Sequence, residues 1–469
     1  GGAIPTRDNV ANVFIPSGTS VLYDVSKVTG LGALTKGGSG YTMTSNIINN
    51  GTLTIGESSS TEISNTLSGS GVFSLTGYGA LTISGNNNQV SPGAFTGQFS
   101  IGTGTTLILS NVNALGSGSI VSNGGNFGVS SDVTLPSLSI TGPVRLVSNI
   151  QTVGNQTYSG AVTTGYGGQL SDLSMRMSSQ NGNITFNGPL NSDAANRSLT
   201  INALNGRVTF NDTVGYLSEN RSSKGYDINS LVVNAKDINL FADVYTLSDQ
   251  TYNGAVVIGD NGSNGLVRKF ITVDPSITFG GTVDDSSSVT HTLDVRAISY
   301  DRTLTPTISF MGAIGSIVPL GALSVTTQTI VPPADNPHAD PVIESSGNLT
   351  IGGNITTVGG QNFSTGGVTL QPSPGNTITL NSQQGSVQFV GSPAGVVADF
   401  NRSVTVLNNS TPVTAPPAQN GSNSVIVPIL PPPELAFALE SNPEGRVYVG
   451  DPSKIIHCDS VTKDECSKS

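Results

Sequence analysis

The feature that most constrains this chain is the regular return of very short strand-like segments between glycine and asparagine. Near the start, Leu53 in GTLTIG and Phe73 in GVFSLTG lie 20 residues apart. Later, Leu349, Val368 and Val387 occupy similar segments 19 residues apart, twice in succession. A repeat of about 20 residues that holds several short strands is typical of a β-solenoid, in which each coil stacks on the previous one. Sandwiches and closed barrels are the alternatives, but they require no such repeat.

Within each segment, apolar and small polar residues alternate with the period of two that a β-strand requires. In GNITFNG, for example, Ile184 and Phe186 should point into the core and Thr185 should point outward. Glycine makes up 58 of the 469 residues and charged residues only 10%, which by itself suggests disorder. The ordered recurrence of Val, Ile, Leu and Phe instead predicts a packed core.

A longer repeat overlies the coils. Residues 148–165, SNIQTVGNQTYSGAVTTG, resemble residues 242–259, ADVYTLSDQTYNGAVVIG, and a degenerate third copy covers residues 353–370. The aromatic residues at the matched position are Tyr158, Tyr252 and Phe363. We interpret them as rings packed at equivalent corners of the coil, and a site that stacks a sugar on these rings is the alternative.

The charge pattern argues against several partner classes. The net charge of −11 is accompanied by no cluster of Lys or Arg, so nucleic acid is not an expected partner. No stretch of about 18 apolar residues occurs, so we expect no transmembrane segment. The first residues contain no charged-then-apolar leader, which suggests a fragment or a processed chain whose export signal has been removed or lies upstream.

One segment, GGTVDDSSSVTH, brings together candidate catalytic groups, namely Asp284, Asp285 and His291. Enzymes built on β-helices use clustered carboxylates for acid–base chemistry. We interpret this segment as a polar turn between coils, so we predict no catalytic residue and no enzymatic activity. A secreted β-helical enzyme that acts on polysaccharides is the first alternative. We predict no cofactor and no metal site.

The end of the chain differs from the rest. Residues 411–449 are rich in proline, which favours an extended spacer, and residues 450–469 contain both cysteines, Cys458 and Cys466. A local disulfide is one interpretation, because disulfides persist in exported proteins. Closing so small a loop would restrict the unfolded tail by about 2.5 kcal/mol. Metal binding together with His457, and thiol exchange or pairing between chains, are the other interpretations.

Residues 70–410 resemble the β-helical shafts of large bacterial exoproteins. The order of ITFNGPLNSDAANRSLTINALNGRVTFNDTVG and INSLVVNAKDINLFADVYTLSDQTYNGAV is similar to that in filamentous-haemagglutinin-like adhesins of two-partner secretion. Residues 77–125 are similar to the passenger-associated repeat of autotransporters, although NQVSPGAFTG replaces its NTYSGGTT-like centre. The resemblance implies a right-handed parallel β-helix exported to the bacterial surface. It also implies the C-terminal portion of a longer precursor, because residues 1–31 do not look like the secretion domain of that family.

The resemblance gives the tail a role as well. High-molecular-weight adhesins of this family end in a paired-cysteine hook that stays with an outer-membrane pore, and Cys458 and Cys466 resemble that hook. The implied partners are therefore the outer-membrane pore protein of two-partner secretion and a host receptor, a glycan or a matrix exopolysaccharide. The implied location is extracellular, at the outer-membrane-associated bacterial cell surface.

Together these observations predict an all-β chain that acts as a surface adhesin or extracellular fibre segment. A self-assembling filament subunit, whose coil ends or edges pair between chains, is the second alternative. The predicted organisation is a fragment start with the first coils (1–40), a β-helix with the autotransporter-like repeat (41–150), a β-helix with haemagglutinin-like repeats (151–410), the proline-rich spacer (411–449) and the anchoring tail (450–469).

Overall fold

The chain, described in a computed structural model, separates into two compact units, residues 1–272 and 273–469. Every regular element among the described residues is a β-strand. The structure describes residues 12–15, 20–24, 34–37, 40–43, 46–57, 60–89, 93–165, 174–193, 196–216, 228–260, 266–273, 275–286, 289–331, 342–371, 378–390, 397–399, 404–408, 424–426 and 438–439.

The strands are short because glycine and asparagine turns interrupt them. Those of the first unit are β1 (Asn12–Ile15), β2 (Ser20–Asp24), β3 (Leu34–Gly37), β4 (Gly40–Met43), β5 (Asn46–Asn49), β6 (Thr52–Glu57), β7 (Ser60–Ile63), β8 (Leu67–Ser68), β9 (Val72–Gly77), β10 (Ala80–Ile83), β11 (Gln98–Ile101), β12 (Thr106–Leu109), β13 (Ser119–Ser122), β14 (Gly125–Val129), β15 (Leu138–Thr141), β16 (Val144–Leu146), β17 (Ile150–Thr152), β18 (Gln156–Tyr158), β19 (Val162–Thr164), β20 (Ser174–Ser179), β21 (Ile184–Phe186), β22 (Leu190–Ser192), β23 (Ser198–Phe210), β24 (Leu231–Leu240), β25 (Val244–Thr246), β26 (Gln250–Ile258) and β27 (Val267–Thr272).

The strands of the second unit are β28 (Ser276–Phe279), β29 (Val283–Asp285), β30 (Thr292–Ser299), β31 (Thr307–Phe310), β32 (Ala322–Val331), β33 (Val342–Ser345), β34 (Asn348–Ile351), β35 (Ile355–Thr357), β36 (Gln361–Ser364), β37 (Gly367–Leu370), β38 (Ile378–Ser382), β39 (Val387–Val390), β40 (Val397–Asp399), β41 (Val404–Asn408), β42 (Ser424–Ile426) and β43 (Ala438–Leu439).

The first unit is a coil with parallel sheets on three sides. Sheet 1 contains β6, β9, β11, β13, β15, β18, β21 and the later parts of β23, β24 and β26. Sheet 2 contains β4, β7, β10, β12, β14, β16, β19 and β22. Sheet 3 contains β17, β20 and the earlier parts of β23, β24 and β26. Because each strand pairs with one a full coil later, the sheets confirm the predicted all-β parallel β-helix.

The strands of the second unit also lie in three sets of parallel pairings, which we call sheets 4 to 6. Sheet 4 contains β28, β31, β34, β37 and β40. Sheet 5 contains β35, β38 and β41 and is extended by single bridges from Val283 to Ile314 and from Ile314 to Ile355. Sheet 6 contains β30, β32, β36 and β39. Among the described strands of this unit, three pair antiparallel: β33 on β32, and β42 and β43 on the end strands β39 and β41.

The predicted 19–20-residue spacing is confirmed at two places and is wrong at a third. Leu53 pairs with Phe73 in sheet 1, and Leu349 pairs with Val368 in sheet 4. Val387, however, pairs with Gln361 in sheet 6, so it lies on a different side of the coil from Val368. The coils also differ in length, since partners are 18 residues apart at Leu138 and Gln156 but 41 apart at Thr307 and Asn348.

The core follows from the alternation seen in the sequence. Ile184 and Phe186 are fully buried while Thr185 between them is partly exposed, as predicted. On sheet 1 the inward residues stack as Tyr158, Phe186 and Phe210, with ring centroids 5.2 and 5.3 Å apart and nearly parallel planes. Offset aromatic stacks of this kind add to the free energy of apolar burial.

Strands pair across residue 150, where the sequence changes from one repeat type to the other: Leu138 pairs with Gln156, and Val144 with Val162. Within the predicted proline-rich spacer, Ser424–Ile426 and Ala438–Leu439 form strands. The rest of the spacer and the whole anchoring tail lie outside the described residues.

Candidate functional site

The predicted site residues fall into three groups, of which the structure describes two. Cys458 and Cys466, the predicted disulfide anchor, lie outside the described residues. Tyr158, Tyr252 and Phe363 are described, and so are Asp284, Asp285 and His291.

The three repeat aromatics lie in the interior of the coils. Tyr158 and Tyr252 are 0% exposed and Phe363 is 1% exposed, so none of these rings offers a face to a sugar in solvent. Burial raises the pKa of the Tyr158 and Tyr252 hydroxyls far above the ordinary value of 10.0. Both hydroxyls therefore stay protonated and act as hydrogen-bond donors.

Each ring belongs to a buried hydrogen-bonded arrangement that we call the Thr–Gln–aromatic corner. In the first copy, Thr152 ends β17 and donates from Oγ1 to the carbonyl oxygen of Gly154, 2.6 Å away. Gln156 begins β18 and donates from Nε2 to Thr152 Oγ1 (3.2 Å) and to the carbonyl oxygen of Ser178 (2.7 Å). The Tyr158 hydroxyl then donates to Gln156 Oε1 at 3.0 Å. This set joins the end of one strand, the turn and the start of the next.

The second copy reproduces these contacts. Gln250 Nε2 donates to Thr246 Oγ1 (3.1 Å) and to the carbonyl oxygen of Ile271 (2.8 Å), and the Tyr252 hydroxyl donates to Gln250 Oε1 (2.9 Å). The two copies occupy different sides of the coil. The first turns from sheet 3 into sheet 1, whereas the second turns from β25 into sheet 3. The repeated unit is therefore a corner and not a whole coil.

The third copy lacks one of these bonds because phenylalanine replaces tyrosine. Gln361 Nε2 still donates to Thr357 Oγ1 (3.3 Å) and to the carbonyl oxygen of Asn381 (2.9 Å). Its Oε1 atom is buried and has no hydrogen-bond partner. A buried acceptor without a donor costs roughly 1–3 kcal/mol, so the third corner should be the weakest of the three.

Replacing a corner tyrosine by phenylalanine, and the corner phenylalanine by tyrosine, should change the free energy of unfolding in opposite directions. We expect Tyr252→Phe to lower the free energy of unfolding by roughly 1–3 kcal/mol, because Gln250 Oε1 loses its donor inside the core. We expect Phe363→Tyr to raise it by roughly 1 kcal/mol, because a hydroxyl would reach Gln361 Oε1. Urea titrations of both variants measure the changes. Shifts of the same sign in the two variants would contradict the proposed role of the hydroxyl.

In the acidic segment, Asp284 and Asp285 lie in β29, and His291 directly precedes β30. Asp284 and Asp285 are 4% and 3% exposed, and His291 is 1% exposed. Asp284 Oδ1 accepts hydrogen bonds from the backbone N–H groups of Ile317 (2.7 Å) and Val318 (3.4 Å). The Asp285 carboxylate accepts the backbone N–H of His291, and its Oδ1 lies 2.6 Å from Nδ1 of that ring. These side chains organise backbone turns and have little surface to present to a substrate.

The Asp285 carboxyl should give stability a distinctive pH dependence. Burial raises its pKa above the ordinary 3.8, an effect that outweighs the opposing hydrogen bonds from His291. Because the folded state holds this proton more tightly, the stability contributed by the group is fully present below pH 3.8 and is lost as the pH rises through the raised pKa. Asp285→Asn should abolish this dependence of the free energy of unfolding on pH, which urea titrations over a pH series measure.

Asp301 supplies a control of opposite sign. Hydrogen bonds from Thr303 lower the pKa of its exposed carboxyl, so its contribution is present above the ordinary 3.8 and is lost as the pH falls through the lowered pKa. Asp301→Asn should therefore remove a pH dependence of the opposite sign, in which the free energy of unfolding falls as the pH falls. A stability difference between Asp285→Asn and the wild type that does not vary with pH would contradict the burial argument.

Further buried charges were not predicted from the sequence. Arg197 forms a bidentate pair with Asp193, with Nε–Oδ1 at 3.0 Å and Nη2–Oδ2 at 3.2 Å, and the two side chains are 5% and 3% exposed. Arg268 is fully buried and donates to the carbonyl oxygens of Gly259 and Val267. In the sequence these residues look like ordinary turn residues. Only the i, i+4 spacing of Asp193 and Arg197 hints at a pair.

Comparison with known proteins identifies no relative: no protein-family model matches the chain, and neither a curated protein nor a solved structure does. Within the described ranges, no helix is long and apolar enough to span a membrane. The same part of the chain contains no group of three His, Cys, Asp or Glu side chains able to hold a metal ion.

Proposed function

We propose that this chain is the shaft of a bacterial cell-surface adhesin, exported by two-partner secretion and tethered through a C-terminal disulfide loop. The observation that carries the proposal is the pairing of coil upon coil in each unit, which makes a stacked scaffold with outward side chains along its sheets. Such a scaffold holds a binding surface away from its anchor. The sequence resemblance supplies the bacterial surface and the secretion route.

The placement of the acid–base groups supports a structural role over an enzymatic one. Asp284, Asp285 and His291 are buried and hydrogen-bonded to backbone groups or to each other. General acid–base catalysis needs groups within hydrogen-bond reach of a bound substrate. Incubation of the purified protein with common polysaccharides tests the enzymatic alternative, and bond cleavage that Asp285→Asn abolishes would favour it.

The tether is tested by removing one cysteine. We expect Cys458→Ser to release most of the protein from the producing cells into the medium, because an open chain is thinner than a closed loop and can leave the pore. Immunoblots of cell and medium fractions measure the distribution. Ser460→Ala, which lies between the cysteines and leaves both in place, is the matched control and should stay with the cells. Retention of Cys458→Ser on the cells would contradict the tether.

A further inference from the structure

Sheet 1 carries a strip of uncharged outward side chains, which we call the neutral strip. The register places one outward residue from each of the ten strands of sheet 1 in a single column. Each of these residues is exposed or partly exposed. The column runs Thr52, Val72, Gln98, Ser119, Ser139, Thr157, Thr185, Thr209, Asn239 and Val257. A second column beside it runs Thr54, Ser74, Ser100, Val121 and Thr141.

Within the first unit, the absence of charge distinguishes this strip from sheets 2 and 3. The ten strands that form it contain only Glu57, Arg207, Lys236 and Asp237 as charged residues, all outside the two columns. Arg207 and Asp237 also pair with each other at 3.6 Å. The outward positions of sheets 2 and 3 do carry charge, and the residues concerned include Glu62, Arg145 and Arg176.

An exposed aromatic ring borders the strip. Tyr78 is 88% exposed and follows β9, four residues after Ser74 of the second column. Its ring lies against the turn of the next coil, since a Cβ built on Gly104 would come within 2.9 Å of Tyr78 Cδ1. Gly104 has a φ of +84°, so both the conformation and the close ring contact favour glycine there. The Tyr78 ring therefore rests on the turn that follows β11, the strand that carries Ser100, and it stays accessible to solvent.

The dimensions of the strip fit a single extended chain better than a protein surface. The first column crosses ten parallel strands at about 4.8 Å spacing and is roughly 43 Å long, and the second column, about 7 Å away, crosses only five of them. Even a strip of the full width along its whole length would have an area of roughly 300 Å², well below the roughly 800 Å² per partner of a standard protein interface. A second copy of this chain would therefore bury too little surface on the strip alone.

We propose that the neutral strip binds a linear, uncharged glycan, with Tyr78 stacked on a sugar ring at its border. Sugar hydroxyls and the Ser, Thr and Asn side chains both donate and accept hydrogen bonds, so the two surfaces match in chemistry. A charged glycan would have to give up hydration without gaining an ion pair on the strip. The Tyr78 ring supplies an apolar face for the C–H groups of a sugar and a hydroxyl for its polar edge. This inference names the ligand class of the proposed adhesin and rests on that function.

Binding of the purified full chain to three insoluble or gelled glycans tests the proposal. We expect it to bind amorphous cellulose or chitin, which are uncharged and linear, and not alginate, which is acidic. Binding should be nearly independent of salt concentration, because screening weakens only interactions between charges. Tyr78→Ala and Ser100→Glu should each weaken it roughly tenfold or more, equivalent to about 1.4 kcal/mol.

Two matched variants control for general effects of substitution. Tyr216→Ala removes another exposed tyrosine, 63% exposed, and Thr200→Glu adds a charge on the outward side of sheet 3. Both should bind as the wild type does. Tyr78→Ala keeps the test decisive if Ser100→Glu fails to fold, since Tyr78 packs on the outside of the coil.

Several outcomes would overturn the glycan proposal. The proposal fails if the protein binds neither cellulose nor chitin, or if it binds alginate alone. It also fails if sedimentation experiments show a dimer that Ser100→Glu dissociates. If the protein sits on the cell surface and mediates adhesion but binds neither neutral glycan, the glycan inference fails and the proposed adhesin function stands. If the protein is absent from the cell surface, the proposed function fails whatever the glycan result.

Discussion

Phe186→Ala should lower the free energy of unfolding by about 3–5 kcal/mol, a large effect for one residue of a β-helix. Phe186 is fully buried and its ring lies between those of Tyr158 and Phe210, at centroid distances of 5.2 and 5.3 Å. Truncation would leave a cavity between two coils and remove both ring contacts. Urea titration, with hydrogen exchange of amides in residues 156–210, measures the loss and shows where it is concentrated.

The neighbouring residue provides the control for this experiment. Thr185 lies on the same short strand but points outward, so Thr185→Ala should change stability by less than about 0.5 kcal/mol. In a stacked repeat each coil contacts only its neighbours, so the loss of exchange protection should be greatest in the coils next to Phe186. Equal losses in Phe186→Ala and Thr185→Ala would show that the aromatic stack does not hold the coils together.

Asp193→Ala is the second substitution with a large expected effect, again about 3–5 kcal/mol. It would remove the bidentate carboxylate from Arg197, whose side chain is only 5% exposed. Arg197 would then keep a buried charge without that partner, and Gly165 packs so closely on the pair that the site has little room to rearrange. Denaturant titration measures the loss, and Asp193→Asn, which keeps the shape and one acceptor, should lose less.

The exposed pair Arg207–Asp237 is the natural comparison. Its side chains are 52% and 37% exposed and its atoms are 3.6 Å apart. Water and salt screen such a pair, so Asp237→Ala should cost less than about 1 kcal/mol. If Asp193→Ala and Asp237→Ala cost the same, burial of the first pair would not be the source of its importance.

Local alternation together with the 19–20-residue spacing was sufficient to predict the fold class. The inward positions of GTLTIG and GVFSLTG, Leu53 and Phe73, pair in register because a two-residue period and a 20-residue coil at this point bring like residues together. The same reasoning failed for Val387, which pairs with Gln361. Its spacing from Val368 matched the repeat, but a three-sided coil has more than one place for a strand at that distance. Spacing alone does not identify the side of the coil.

The interior hydrogen bonds were only partly visible in the sequence. The repeat identified Tyr158, Tyr252 and Phe363 as equivalent aromatic residues. The Thr and Gln that complete each corner occur at matching positions in the same three copies, but the sequence analysis assigned them no role. The pattern Thr-x-x-x-Gln-x-aromatic was therefore the missed signal. By contrast, no sequence pattern relates Arg268 to the carbonyl oxygen of Gly259, because the two residues are 9 positions apart and belong to no shared repeat.

The position of the Thr–Gln–aromatic corners bears on how such a chain can lengthen during evolution. One corner turns from sheet 3 into sheet 1 and another from β25 into sheet 3, yet their internal bonds are the same. A duplicated segment need not therefore correspond to a complete coil, nor be inserted in phase with the existing ones. A strand–turn–strand unit contains the Thr, Gln and aromatic residues that bond to one another at its corner, so it can form a corner on any side of the coil. Coils of 18 and of 41 residues can then coexist in one gene without a break in the ladder of paired strands.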